Sequence, residues 1–579
     1  MDNLDKDDIQ FFKKVILLII LLTLSLSYLY INKSQSYERY ERISFISAGV
    51  RLYANLYYPS KDLEFQDNRP LIIYCHGIGS QRDFDLRIPI EFTKRGFYVA
   101  ALDYQGHGES GGKITNYDTS TNTPALAEDC SKLLDKLETL DFYINVNTSQ
   151  IGLIGHSMGG LVVLMNQALD SRFNVTVAWA PLVNFDPQKL GFDTTTNIDQ
   201  FVPANLLNES NTNNLLVIMH VNDEALNFST QALKLQELTN CTLISITDPV
   251  FGSPHQLFMN RVLIDSIKWF EINFFYSDSV NGPIKITFLI NYIAIFISLG
   301  LLFLIILLLI SYSAKFFAFK KEGLKEGKDD LIEIQISKSK KLFQIIKILF
   351  YIGIFIINWE VFENIFGILG IFLASLNISV IYILIVYRMY IKKLKLERKK
   401  FNFKKFIKKE FSLRNLAYPI LCNLYFIGIY VIFSFFYPFA FIWPSNYLVS
   451  LLLAEIIFPI YFSLEILYRK LIYPQLNFIQ SERRRSYVII ALAIYVQFNL
   501  ISLTSKWAFF PSVIFTYMMF LVVIIQNTLI FERTKVFSSV ILSSFDIVQL
   551  FFASVISNAF GIGTALYLFV GLSTQTPFF

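Results

Sequence analysis

"QIGLIGHSMGGLVVL", Gln150 to Leu164, sets a serine among glycines where an apolar run changes character. "QIGLIG" reads as a buried strand, and "MGGLVVLMNQAL" opens a helix directly after Ser157. Gly155-His156-Ser157-Met158-Gly159 therefore fits G-x-S-x-G on a strand-to-helix junction. Glycines let the chain reverse without Cβ clashes, so the serine hydroxyl stands clear at the strand's carboxyl end. The helix start adds partial positive charge where an oxyanion would form. The same pentapeptide also arises by chance in soft loops, so its meaning depends on what surrounds it.

What surrounds it is an alternation of strands and helices. "RISFISAG" and "VRLYANLYYP" read as an opening antiparallel pair, and "PLIIYCHG" as a central buried strand. "DLRIPIEFTKRG" is an amphipathic helix closed by Gly96, after which "FYVAALDYQGHG" returns to strand. "TPALAEDCSKLLDKLETLD" reads as a helix with a capping Thr followed by Pro. "VTVAWAP", "NLLVIMHVND" and "CTLISITD" supply three more strands, and "HQLFMNRVLIDSIKWFEINFF" a closing helix. The pattern predicts an α/β domain over residues 40–276, with a mostly parallel sheet covered by helices on both faces.

Serine is a weak nucleophile unless an imidazole takes its proton, and a carboxylate must fix the imidazole's tautomer. In this arrangement the partners follow the serine in the order acid, then histidine. Asp223 lies just past the strand "NLLVIMHV", and His255, in "GSPHQLF", lies after the last strand and opens the final helix. Glu224 is the alternative acid. All five histidines fall in this domain. His76 and His107 read as loop residues binding backbone near the site's rim, His220 as a satisfied core residue, and His156 as a neighbour unable to reach back to Ser157. Asp103 reads as a structural turn carboxylate.

"YCHGIGS", "ALDYQGHGES" and "GHSMGG", with Asp223 and His255 beyond them, resemble the α/β-hydrolase superfamily. The likeness is to the branch that holds monoacylglycerol lipases, serine aminopeptidases and related carboxylesterases. It implies an oxyanion hole made by the backbone N–H groups of Ile78 and Met158. One departure stands out. The segment at about 182–213 is short and polar, so an extensive helical lid is not expected.

The remainder of the chain is of another kind. Of 579 residues, 54% are hydrophobic and only 17% charged, with the apolar excess concentrated beyond about Ile284. Apolar runs near 285–313, 342–358, 365–389, 416–443, 446–468, 488–504, 508–531 and 546–570 are each long enough to cross a hydrocarbon core of about 30 Å. With "VILLIILLTLSLSYLYI", Val15–Ile31, they make nine expected spans. Nothing after Ile31 reads as a cleavage site, so the first run reads as an anchor. The expected organisation is a cytoplasmic segment 1–14, an anchor 15–31, the hydrolase-like domain 40–276 and a membrane domain 284–572 of about eight helices.

Lysine-rich loops, "KFFAFKKEGLKEGKDD" (Lys315–Asp330) and "KKLKLERKKFNFKKFIKKE" (Lys392–Glu410), alternate with loops almost free of positive charge. The positive-inside rule puts the basic loops in the cytoplasm and residues 32–283 outside it. The small net charge of +5 is explained by these loops rather than by nucleic acid, and no nucleic-acid partner is expected. Neither a metal nor a cofactor is expected. The four cysteines match no zinc or disulfide pattern. Cys75 and Cys422 read as buried, and Cys130 and Cys241 could pair only if the fold joined them. Glu455, mid-span beside Pro459, reads as a candidate intramembrane acid, and Glu465 as interfacial.

The sequence thus predicts a membrane-anchored extracytoplasmic serine hydrolase with an acyl ester or lipid as substrate. The alternatives are an aminopeptidase-like or acyl-transfer activity, and a transport or sensory protein whose hydrolase-like domain only binds a ligand.

Overall fold

The computed structural model describes residues 6–59, 68–82, 85–193, 196–249, 253–277, 282–317, 410–434, 462–503 and 511–547, with isolated positions between 348 and 458. Between two long helices, α1 (Lys6–Ser36) and α8 (Phe288–Ser313), lies an eight-stranded sheet. Its strands are β1 (Tyr37–Ser47), β2 (Val50–Pro59), β3 (Arg69–Cys75), β4 (Tyr98–Asp103), β7 (Val146–His156), β8 (Val175–Trp179), β9 (Leu215–His220) and β10 (Thr242–Ile246). They run in the order β1-β2-β4-β3-β7-β8-β9-β10. The β1–β2 and β2–β4 pairings are antiparallel, and every pairing from β4 to β10 is parallel. Two-residue strands β5 (Tyr117–Asp118) and β6 (Thr123–Pro124) form a separate small ladder.

Burial explains the parallel centre. Every residue of β4, β8 and β9 is buried, so these strands read as continuous apolar runs. Helices α2 (Arg87–Thr93), α3 (Asp129–Glu138), α4 (Met158–Leu169) and α7 (Asn260–Phe275) supply the covering. Gly152 lets the Phe270 ring of α7 lie directly on β7, because a Cβ there would collide with it.

Two expected boundaries move. The helix beginning at Thr123-Pro124 starts instead at Asp129, because Ala125 N–H is taken by Asn116 O at 2.8 Å in a turn. The last helix begins at Asn260 rather than at His255, since Leu257 adopts φ +48° and breaks the helical run. Among its described residues, the segment after β8 contains short helical turns alone, Pro187–Leu190, Ile198–Gln200 and α5 (Pro203–Leu206). All four cysteines are buried and free, and Cys130 Sγ lies 3.5 Å from Cys75 Sγ rather than beside Cys241.

Helices α1 and α8 pair side by side in opposite directions. Phe11 stacks on Tyr312 at 4.1 Å, Ser25 Oγ lies 2.7 Å from Ser298 Oγ, and Asn291 donates to Asn32 at 3.1 Å. Both are long and apolar enough to cross a membrane, over Ile9–Asn32 and Phe288–Ser313. Further helices follow at Leu413–Ser434, Glu482–Leu503, Pro511–Thr534 and Phe537–Ile547. The expected spans at 342–358, 365–389 and 546–570 fall almost wholly outside the described residues, and Glu455 falls outside them too. Glu465 is buried rather than interfacial: it pairs with Arg469 at 3.0 Å and accepts from Asn527 at 2.8 Å.

Candidate active site

Ser157 occupies the tight turn between β7 and α4. Its backbone stands at φ 56°, ψ −116°, a conformation that a residue with a Cβ adopts only under constraint. The constraint is visible in the hydrogen bonds. Ser157 N–H donates to Trp179 O at 2.8 Å, and its carbonyl accepts from Leu182 N–H at 3.2 Å. The glycines before and after it are needed for contact. A Cβ on Gly155 would strike the Gly159 carbonyl, and one on Gly159 would strike the backbone of Cys75 and His76. The first turn of α4 therefore packs directly on the end of β3.

Two more segments close on the serine. His255 Nε2 lies 2.9 Å from Ser157 Oγ, and His255 Nδ1 lies 2.8 and 3.0 Å from the two Asp223 oxygens. Asp223 Oδ1 also accepts from the Ala225 and Leu226 N–H groups, which fixes the carboxylate. An Nδ1 facing a carboxylate carries the proton, which leaves the Nε2 lone pair directed at the serine hydroxyl. His255 is buried, and Ser157 retains a little exposure at 8%.

Of the two expected oxyanion donors, Met158 follows Ser157 directly and Ile78 lies in the loop after β3. Met158 is the first residue of α4, so its N–H has no carbonyl partner within the helix. Gly77, before Ile78, lies so close to Ser157 that a Cβ on it would come within 3.4 Å of Ser157 Cβ. The loop after β3 and the start of α4 thus come together beside Ser157. Among the described residues, no group of three or more His, Cys, Asp or Glu side chains is placed to hold a metal ion.

The support around His255 goes beyond what the sequence reading found. His156 Nε2–H donates to the His255 carbonyl at 2.8 Å. Burial, reinforced by the neighbouring His255, lowers the His156 pKa to about 3, so this ring is neutral and its tautomer is set by that carbonyl. Glu224, the alternative acid, instead accepts the His255 backbone N–H at 3.2 Å and also binds Ser253 Oγ. Arg87 donates to the carbonyls of Gln256 (3.3 Å) and Leu257 (3.1 Å). The position of His156 beside Ser157 was a readable hint. Arg87, some 170 residues from its partners, gave none.

The other histidines fall near their expected roles. His220 is satisfied by Asn222 N–H and Asp248 O. His76 and His107 do bind backbone carbonyls, of Gly77 and Gln105, but both are fully buried against Tyr104 rather than at a rim. Burial, with His76 adjacent, lowers the His107 pKa to about 3. Asp103 accepts from the Arg82 and Glu109 N–H groups and pairs with the Arg82 guanidinium. Burial opposes ionisation of Asp103, but Arg82 and His76 together outweigh it and hold the carboxyl below its usual range.

Residues 66–232 match the family model described as serine aminopeptidase, S33. The chain is 28% identical over 172 residues to the platelet-activating factor acetylhydrolase of Cavia porcellus, covering 22% of this chain and 39% of that protein. It is 30% identical over 112 residues to putative esterase/lipase 2 of Mycoplasma pneumoniae, covering 19% of this chain and 37% of that protein. It thus spans about two fifths of the length of the curated relatives it matches. Among solved structures, a puromycin hydrolase aligns at TM-score 0.35 and 16% identity, over 42% of this chain and 40% of that one. The sheet order, the matching family model and the curated relatives agree on an α/β-hydrolase fold.

Proposed function

We propose that the chain is a membrane-anchored, extracytoplasmic serine hydrolase that cleaves acyl esters through a covalent acyl-enzyme. The observation that carries this reading is the unbroken hydrogen-bond chain from Ser157 Oγ through His255 to Asp223, built on a constrained backbone turn. In the first half-reaction His255 Nε2 takes the Ser157 proton as Oγ attacks the ester carbonyl. The developing oxyanion is received by the Ile78 and Met158 N–H groups. The imidazolium then protonates the departing alcohol, leaving the acyl group on Ser157. In the second half-reaction His255 deprotonates water, which attacks the acyl-enzyme and releases a carboxylic acid.

The preference for a membrane-resident ester is supported by where the site sits. Phe258, three residues past His255, meets Phe288 and Tyr292 of α8 edge-on, at 5.0 and 5.5 Å. These two residues lie near the start of α8, which is apolar enough to cross a bilayer, so an ester held in that bilayer would reach Ser157 at high effective concentration. The names of the curated relatives, an acetylhydrolase and an esterase/lipase, also favour esters over peptides. The matching family model keeps an aminopeptidase-like activity as the second reading.

The test is fluorophosphonate labelling of the full chain in nanodiscs, followed by turnover of a medium-chain monoacylglycerol and of aminoacyl anilides. Labelling lost in Ser157→Ala, with the ester turned over much faster, is expected. Labelling that survives Ser157→Ala overturns the nucleophile. Anilides turned over equally fast or faster overturn the ester preference.

A further inference from the structure

The turn that carries His255 is held by side chains from outside it. The carbonyls of three consecutive residues, His255, Gln256 and Leu257, accept from His156, Arg87 and Arg87 in turn. Leu257 itself stands at φ +48°. Arg87 therefore braces a strained segment immediately beside the imidazole.

Three other contacts place Arg87 at a junction. Asp85 grips the guanidinium through Nε and Nη2, at 2.6 to 2.9 Å, and fixes its plane. The guanidinium carbon also lies over the Trp179 ring, 5.2 Å from its centroid, and over the Phe258 ring, 5.0 Å from its centroid. Trp179 is the residue whose carbonyl holds Ser157 N–H. The Phe288 ring, in the first turn of α8, lies 6.0 Å away. Helix α2, which Arg87 begins, is tied to the same place by Glu91, whose carboxylate accepts from Thr287 N–H at 2.9 Å and from Thr287 Oγ1 at 3.2 Å.

We propose that Arg87 is a positioning residue for His255, and that through it the first turn of α8 sets the Ser157–His255 geometry. The proposal rests on the reading of Ser157 as nucleophile and His255 as its base. The guanidinium suits this task because one rigid fork can bind Asp85 on one edge and two carbonyls elsewhere while stacking between rings. A lysine keeps the charge but loses the fork. The consequence is that a contact made at the head of α8 is felt at the imidazole, which precedes the two carbonyls braced by Arg87 by one and two residues.

The experiment measures kcat and KM for ester turnover, and the rate of fluorophosphonate labelling, in nanodisc-embedded wild type, Arg87→Lys, Arg87→Met, Phe288→Ala and Arg87→Met with Phe288→Ala. Small displacements of a reacting group cost up to about 100-fold in rate. Arg87→Lys and Arg87→Met are therefore expected to lower kcat and the labelling rate by about 10- to 100-fold, with KM within about twofold. Phe288→Ala is expected to lower kcat less, and the double variant to resemble Arg87→Met alone, since coupled residues are not additive. Wild-type kcat in both Arg87 variants, a loss confined to KM, or additive losses in the double variant would each overturn the proposal. If Arg87→Met fails to fold, Arg87→Lys and Phe288→Ala still decide. Wild-type protein that is not labelled at Ser157 would sink the functional reading itself, which separates the two failures.

Discussion

Glu224 accepts the backbone N–H of His255 while its neighbour Asp223 binds the imidazole of the same residue, so adjacent carboxylates hold one histidine by two different handles. Their substitutions should differ in kind. Asp223→Asn presents an amide to Nδ1, disturbs the tautomer and is expected to lower kcat about ten-thousandfold. Glu224→Gln keeps an oxygen for the His255 N–H and an amide for Ser253 Oγ, and is expected to lose about tenfold or less. Steady-state kinetics on both variants checks this, and equal losses would show that the two acids share the role.

Asp129 gives the domain a pH signature of its own. It is fully buried, accepting from Ser47 Oγ and Gln105 N–H. Burial, only partly offset by those hydrogen bonds, raises its pKa from 3.8 to about 7. Between those values the unfolded chain has released the proton that the folded chain retains. The native state therefore binds more protons, and stability falls as pH rises through that window, by up to about 1.4 kcal/mol per pH unit, and then levels above it. Asp129→Asn cannot lose a proton and should flatten the profile. Thermal denaturation of both proteins from pH 4 to pH 8 tests this, and parallel profiles would remove Asp129 as the cause.

Gly159→Ala should damage fold and site together. Its Cβ would meet main-chain atoms of Cys75 and His76, which cannot swing aside as a flexible side chain would. Overpacking of this sort costs about 1 to 3 kcal/mol, and the displaced strand end leads straight into the Ile78 loop. Lower Tm with slower fluorophosphonate labelling is the expected pair of effects; a normal labelling rate at reduced Tm would detach the glycine from the site.

The topology can be read with introduced thiols, because the native cysteines are all buried. Ser120, in an exposed turn of the α/β domain, should react as cysteine with an impermeant reagent in sealed cells, and Lys400→Cys should not. The reverse result would invert the orientation of the whole chain.

How legible the molecule was depended on the range of each interaction. The strands of the sheet were readable because apolar runs and glycine stops are local, and Ser157 because its turn is written in five consecutive residues. Asp223 and His255 were placed by chain order, which worked because each follows a strand that ends on the same edge of the sheet. The start of α3 was misplaced because Thr123 and Pro124 look like a cap, yet pair with Tyr117 and Asp118 in a small ladder. Arg87, His156 and Glu224 were missed as supports because their partners are backbone atoms, which carry no residue signature. The burial of Glu465 was illegible for a different reason: the Asn527 side chain, which it meets along with Arg469, is far off in sequence and reaches it only in the folded bundle.

The antiparallel pairing of α1 with α8 has a mechanical consequence. A domain on one leash can spin about it and presents every face in turn to whatever lies below. Here the chain leaves along one helix and returns along its neighbour, joined at Asn32 and Asn291, and the returning helix is bolted to α2 through Thr287 and Glu91. Such a bipod cannot swivel. On the proposed reading, in which both helices cross a bilayer, the flank bearing Phe258 would keep one heading toward it, and the angle of approach would be decided before any substrate arrives.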